Sequence, residues 1–223
     1  MKDFSSERQA MVARYREMGY LTSKVVIEAI LSIQREEFFE IRLREYAYTD
    51  SPAPIPGDGR QTISAPYMYP ITYESLNLKS GDRFLEVGAG SGYGAALARE
   101  IVGREGLVVA IEINEATYEF AKKNLQRTGY GDVLLIFGDG TLGYPEGGPY
   151  DAISVTAASP DFPPPLLRQL KSPGRIVAPI GEADYHGQEL VLLEKSSSGV
   201  LSRRKLMQVA YVPLIGEHGW THQ

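Results

Sequence analysis

The sequence predicts an α/β chain built on a mostly parallel sheet, with helices on both faces, an antiparallel hairpin at the C-terminal edge and additional helices at the N-terminus. Three observations predict it. From residue 81 onward, short apolar runs alternate with segments of helical spacing, the signature of successive βα units. The last two apolar runs follow each other without a helix between them, which suits a hairpin, and Ser196-Ser197-Ser198 fits its turn. Residues 51–63, SPAPIPGDGRQTI, are too rich in Pro and Gly to continue the helices read over residues 1–50. The 223 residues, 43% of them apolar, suffice for one domain with a sizeable core. Its three zones are an N-terminal region of helices and loop (1–80), a βα core (81–180) and C-terminal strands (181–223).

The elements follow in order. Thr22 and Ser23 are positioned to cap a helix carrying Val25, Val26, Ala29, Ile30 and Ile33 at helical spacing. After the Pro/Gly loop, Ser64-Ala65-Pro66 opens a helix running to about Leu78. Ser64 is its candidate cap, Pro66 suits its first turn, and Pro70 forces a kink or a later start. Arg83 to Val87 is a strand, followed by a glycine loop and a helix from Tyr93 to Val102. Leu107 to Ile113 is the next strand, and Asn114 caps a helix reaching Arg127. Strands follow at Val133–Phe137 and Tyr150–Val155, then a short helix at Pro165–Leu170 and a strand at Arg175–Ala178. Leu190–Glu194 and Leu206–Tyr211 form the closing hairpin.

Composition narrows the function. The net charge is −5 and the pI near 5.3, against the basic face that nucleic-acid binding requires. Arg203-Arg204-Lys205 is the dense basic cluster, and it reads as a solvated turn or strand edge. Absence of cysteine excludes disulfides, thiolate nucleophiles and cysteine-held metals. The N-terminus MKDFSSERQAMVARYR is charged throughout and is not a signal peptide. No apolar run approaches the ~20 residues of a membrane span. A cytoplasmic monomer is the expectation, without nucleic-acid or membrane partners. His186, His218 and His222 stand in glycine-rich or terminal contexts and read as solvated, so no metal site is expected.

The strongest local signal is Leu85-Glu86-Val87-Gly88-Ala89-Gly90-Ser91-Gly92-Tyr93-Gly94, a buried strand running through glycines into a helix. Glycines let backbone approach a ligand, and the helix start offers free N–H groups. The motif alone is ambiguous, since GSGYGA also satisfies a loose dinucleotide pattern. Glu112 ends the next strand, where a carboxylate accepts bonds from a ribose diol. Nicotinamide and S-adenosylmethionine enzymes both use such an acid. Asp139, in Gly138-Asp139-Gly140, follows the third strand and is placed to face an adenine amino group. Glu86, Glu112 and Asp139 together suit a cationic ligand better than a pyrophosphate.

RQTISAP, LEVGAGSGYGAALA, GDGTLGY, PYDAISVTAAS, LLRQLKSPGRIVAPIG and YVPL occur in this order between about Val25 and Leu214. In order and spacing the chain resembles the protein-L-isoaspartate O-methyltransferases, and the TISAP segment is far more specific than the glycine loop. The resemblance implies a Rossmann-like seven-stranded methyltransferase fold with extra N-terminal helices. It implies S-adenosyl-L-methionine as cofactor, S-adenosyl-L-homocysteine as its product, and isoaspartyl-containing peptides and proteins as partners. It implies Ser64 at the catalytic centre, with Thr62, Ile63 and Tyr69 nearby. The implied cofactor contacts are these four, Thr62, Ile63, Ser64 and Tyr69, together with Glu86, Gly88, Gly90 and Gly92 on the loop, Glu112 and Ile113 at the ribose, and Asp139 and Gly140 beside adenine. Three features differ from the family's usual pattern: Tyr67 and Tyr69 replace two histidines, the loop Pro56–Arg60 is slightly longer, and Ile215 replaces a common threonine. An isoaspartyl carboxylate, with an ordinary pKa of about 3.5–4, is already ionised at neutral pH. The implied reaction therefore needs no general base, and Ser64 would serve by aiming the carboxylate.

Overall fold

The computed structural model describes residues 3–184 and 187–221. His186 and His222 lie outside them. Two α-helices open the chain, α1 (Ser5–Glu17) and α2 (Lys24–Ser32). Val26, Ala29 and Ile30 of α2 are buried, as their spacing predicts. Ser23 occupies the N-cap position, but its hydroxyl makes no capping bond. The Glu74 carboxylate, 51 residues away, accepts the Ser23 N–H at 2.6 Å and the Thr22 N–H at 2.9 Å. The expectation of helices throughout residues 1–50 is corrected beyond Ser32, where only 3-10 turns form at Arg35–Phe38 and Ile41–Tyr46. The chain there wraps round the buried Arg35 side chain, which donates to the carbonyls of Ala47 and Ser64, each at 2.7 Å.

The strands β1 (Ala53–Pro54) and β2 (Thr62–Ile63) pair antiparallel and close the Pro/Gly loop. Helix α3 (Met68–Leu76) starts later than Ser64, and its N-cap is Tyr67. Ser64 therefore does not cap it. Pro70 is the third helical residue, where a missing N–H breaks no intrahelical bond, so the later start is the outcome that its ring imposes.

The core elements are β3 (Arg83–Val87), α4 (Tyr93–Val102), β4 (Leu107–Glu112), α5 (Glu115–Arg127), β5 (Leu134–Phe137), β6 (Tyr150–Val155), α6 (Pro164–Gln169) and β7 (Leu170–Ile180). Asn114 caps α5 as expected, its side chain accepting the Thr117 N–H at 3.1 Å. The closing strands are β8 (Gln188–Lys195) and β9 (Leu201–Val209). Strand β9 begins five residues earlier than the sequence suggests (206 − 201) and includes the basic cluster. Arg203, Arg204 and Lys205 sit on the exposed sheet edge, with Arg203 paired to Asp161 and Lys205 to Glu189. Polar residues on a solvated edge strand lack the apolar alternation that sequence reading depends on.

One seven-stranded sheet results, in the order β5-β4-β3-β6-β7-β8-β9. The pairs from β5 through β7 are parallel, while β8 runs antiparallel to both neighbours. Alternate strand residues serve the two faces. Phe84, Val108 and Ala110 join the N-terminal helices and α4; Leu85, Val87, Val109 and Ile111 pack with Phe162 and Leu166 on the other face. The first layer runs without interruption from Met11 of α1 to Leu192 of β8, so the N-terminal helices belong to the same core as the sheet. Sheet order changes direction at β3, between β4 and β6, which leaves a crevice at the strands' carboxyl ends.

Candidate active site

That crevice is a cleft of about 910 Å³, open solvent at its mouth included. Its walls include Gly88 and Gly90 after β3, Glu112 and Ile113 after β4, Gly140 after β5 and Thr156 after β6. Gly88 has φ +91, and a Cβ there would overlap the Thr156 hydroxyl, which donates to the Gly88 carbonyl at 2.6 Å. Only glycine satisfies both the left-handed backbone and the close approach. Gly92, at φ +85, is the N-cap of α4. It shapes the turn and does not line the cleft.

Glu112 is 6% exposed. One carboxylate oxygen accepts the Gly90 N–H and the other the Asn114 N–H, both at 3.0 Å. Burial raises its pKa, and the surrounding backbone N–H groups of Asn114, Gly90 and Ile113 oppose that rise. A carboxylate oxygen can accept more than one bond, so both retain capacity toward the cleft. Asp139 is placed differently from Gly140. Its carboxylate caps the 3-10 turn by accepting the Thr141 N–H at 2.8 Å, and its second oxygen accepts the Glu217 N–H at 2.8 Å. Gly140 lines the cleft, and a Cβ there would overlap Val87.

Past Thr62, Gly88, Gly90 and Thr156, which line both spaces, the cleft continues into a recess of about 580 Å³. Ile63, Ser64, Tyr69 and Glu86 line it. Glu86 is 3% exposed and its Oε2 has no hydrogen-bond partner. Burial, with a smaller push from the Glu112 charge, raises its pKa to about 8, against the lowering effect of the Ala95 N–H. The Tyr69 ring meets Tyr93 edge-on at 4.8 Å, and the Arg35 guanidinium lies 5.2 Å from its centroid.

The structure adds residues that sequence reasoning missed. Thr156 lies inside the PYDAISVTAAS segment, which carried the resemblance but no assigned site residue. The segment Val212–Ile215 forms one wall of the cleft because Val212 accepts the Ala158 N–H at 2.8 Å and Leu214 donates to Ala158 at 2.7 Å. Tyr211, just before it, enters the recess; its place in the YVPL motif was the available signal. Asp58, Arg60 and Gln61 bring the β1–β2 loop over the opposite wall. Arg60 is ion-paired to Asp58 at 2.6 Å, which holds the Asp58 carboxyl down at about 2.

Two buried acidic side chains, Glu112 and Glu86, the second with one unpartnered oxygen, suit a nucleoside whose positive charge would hold Glu86 ionised against its raised pKa. They oppose a pyrophosphate, which disfavours the dinucleotide reading of GSGYGA. S-adenosylmethionine fits: Glu112 can take a ribose diol, and the orphaned Glu86 oxygen can take a cationic group in the recess. Gly88 and Gly140 leave clear the space that a Cβ would fill. Among the described residues no group of three or more His, Cys, Asp or Glu could hold a metal, and no helix is long and apolar enough to cross a membrane. His218 is partly exposed beside Glu217, outside both spaces.

The family model of protein-L-isoaspartate(D-aspartate) O-methyltransferase matches residues 6–219. A protein-L-isoaspartate O-methyltransferase of Methanopyrus kandleri is 48% identical over 98% of this chain and 96% of its own. One from Methanococcus aeolicus is 45% identical over 96% of this chain and 97% of its own. A solved protein-L-isoaspartate O-methyltransferase superposes with TM-score 0.83 at 32% identity, covering 95% of this chain and 67% of that one. A Plasmodium falciparum structure described by the same activity, in complex with S-adenosyl-L-homocysteine, gives TM-score 0.80 at 25% identity, covering 96% and 99% of the two chains. A cleft and recess at the carboxyl ends of this sheet, met by a family match along nearly the whole chain, lead to one conclusion: the chain belongs to the protein-L-isoaspartate (D-aspartate) O-methyltransferase family.

Proposed function

We propose that the chain performs its family's reaction, S-adenosylmethionine-dependent methylation of L-isoaspartyl carboxylates in proteins, with the nucleoside in the larger cleft and the acceptor meeting it at the Ser64 recess. The observation that carries this division is the continuity of the two spaces past Gly88 and Thr62, with Glu112 in one and Glu86 and Ser64 in the other. When bound, the cofactor supplies a methyl group on a sulfonium; the acceptor oxygen forms the new O–C bond as the S–C pair returns to sulfur.

The remaining work belongs to the protein. Glu112, fixed by two backbone N–H groups, holds the ribose. Glu86 complements positive charge inside the recess. Thr62, Ile63, Ile113 and Gly140 shape the walls, and Gly92 sets the turn that brings the start of α4 beneath the loop. Ser64 donates a hydrogen bond that aims the acceptor carboxylate. The reacting anion and cation lose charge as they combine, so a site that excludes water and holds them close favours transfer over the solvated, separated state. No proton has to move, and no general base is needed.

A labelled-methyl assay with matched peptides differing only in aspartyl or isoaspartyl linkage tests this reading. Transfer to the isoaspartyl peptide alone is the expected result. Equal transfer to both, or to neither, would refute it.

A further inference from the structure

We propose that Tyr211 is a second hydrogen-bond donor to the acceptor carboxylate, acting beside Ser64, and that Gln188 is the positioning residue that aims it. The inference rests on the acceptor occupying the Ser64 recess.

Ser64 and Tyr211 reach the recess from distant parts of the chain, one after β2 and one after β9. Both side chains line this same recess. The two hydroxyls therefore form one donor patch on the wall that also carries Tyr69 and Glu86.

The backbone of Tyr211 is held with unusual completeness. Gln188 is 0% exposed; its Oε1 accepts the Tyr211 N–H at 2.6 Å and its Nε2 donates to the Tyr211 carbonyl at 3.1 Å. The same amide nitrogen donates to Glu182 at 2.9 Å. One buried side chain thus satisfies both backbone groups of Tyr211. The next residue, Val212, is fastened to Ala158. Fixing the backbone on both sides limits where the phenol can point, which is the kind of support a precisely placed contact requires.

The chemistry favours this pair. A carboxylate acceptor has two oxygens, and only one attacks. Two donors can orient the group while leaving a lone pair of the attacking oxygen free. Neutral donors serve better than a full positive charge, because a cation would stabilise the ionised ground state more than the charge-depleted transition state. The phenol stays protonated at working pH, since burial raises its pKa well above the usual value. Arg35, the cation buried close by, is not among the residues that line the recess; its Nε and Nη2 donate to the Ala47 and Ser64 carbonyls and its guanidinium lies over the Tyr69 and Tyr93 rings, while its Nη1 has no partner.

The test is Tyr211→Phe, which keeps the ring and removes only the hydroxyl, together with Gln188→Met. Steady-state kinetics use the isoaspartyl peptide, and calorimetry measures S-adenosylhomocysteine affinity. Tyr211→Phe should lower kcat/KM about 10- to 100-fold, the loss of one hydrogen bond to a charged group, with cofactor-product affinity within about twofold. Gln188→Met should lower kcat/KM in the same direction and add little when combined with Tyr211→Phe, because both act through one hydroxyl. Wild-type kcat/KM in Tyr211→Phe, within an enzyme that still selects isoaspartate, overturns the Tyr211 assignment alone. An equal loss of S-adenosylhomocysteine affinity also overturns it, since the hydroxyl would then serve the cofactor. A wild-type enzyme indifferent to isoaspartate removes the acceptor reading and this inference with it.

Discussion

Replacing Glu112 with glutamine keeps the side chain's shape but leaves one acceptor end where there were two. In the structure one carboxylate oxygen accepts from Gly90 and the other from Asn114. Whichever way the amide turns, its NH2 faces a backbone N–H. A ribose hydroxyl also loses a charged acceptor. The mismatch is shared by free and bound protein, so the charge-assisted bond to the ribose decides the affinity: roughly 1.5–3 kcal/mol, or about 12- to 140-fold in Kd at 1.4 kcal/mol per decade. The free protein should behave differently. Burial disfavours the Glu112 anion, so removing its charge relieves desolvation and offsets the mismatched donor, and the thermal midpoint without ligand should change little. Calorimetric titration with S-adenosylhomocysteine, paired with thermal melts of the free protein, separates the two effects. A Kd for Glu112→Gln within threefold of wild type, at unchanged stability, would show that this carboxylate does not face the ligand.

Three further outcomes follow from the same geometry. Ser64→Ala should lower turnover on an isoaspartyl peptide by about 10- to 100-fold while S-adenosylhomocysteine affinity stays within twofold; unaltered turnover would reject the aiming role. Glu86 is raised from 4.5 to about 8 in the folded protein, so the fold binds this proton more tightly than the unfolded chain does. Its stabilising contribution is complete below pH 4.5 and is lost as pH rises through about 8. Thermal midpoints of the free protein should therefore fall from pH 5 to pH 9 more steeply in wild type than in Glu86→Gln, and parallel slopes would contradict the assignment. Gly94→Ala places a methyl against Glu86 Oε1. The overpacking, typically about 1–3 kcal/mol, outweighs a helix-propensity gain of up to about 1 kcal/mol, so the midpoint should drop. A raised midpoint would mean that Glu86 does not approach the helix so closely.

Much of the molecule was legible because its signals are local. Strand β3 and helix α4 fall on the residues their apolar spacing picks out, and Asn114 caps α5 two residues past the end of β4. The glycine loop is legible for the same reason: its backbone demands are met by consecutive residues. The errors have a common cause in partners distant along the chain. Thr22 and Ser23 look like a cap, but Glu74 supplies the bonds. Asp139 keeps its place beside Gly140, and the returning C-terminal segment adds the Glu217 N–H at its second oxygen, a partner the sequence does not announce. The first half of β9 reads as polar because it forms a solvated sheet edge, where the sheet and not side-chain alternation supplies the strand.

The sequence alone determined the βα alternation, the glycine loop and the strand-end Glu112 that line the cleft and, through the TISAP and YVPL segments, the family. These depend on residues within a few positions of one another, whose spacing is preserved whatever the chain does elsewhere. Only the tertiary structure decided that Ser64 serves the recess and does not cap a helix, that Glu86 keeps an unpartnered oxygen in that recess, and that Tyr211 arrives beside Ser64 under the grip of Gln188. Each depends on burial and on hydrogen bonds closed between segments far apart in sequence, and such contacts exist only after the sheet has assembled and water has been excluded.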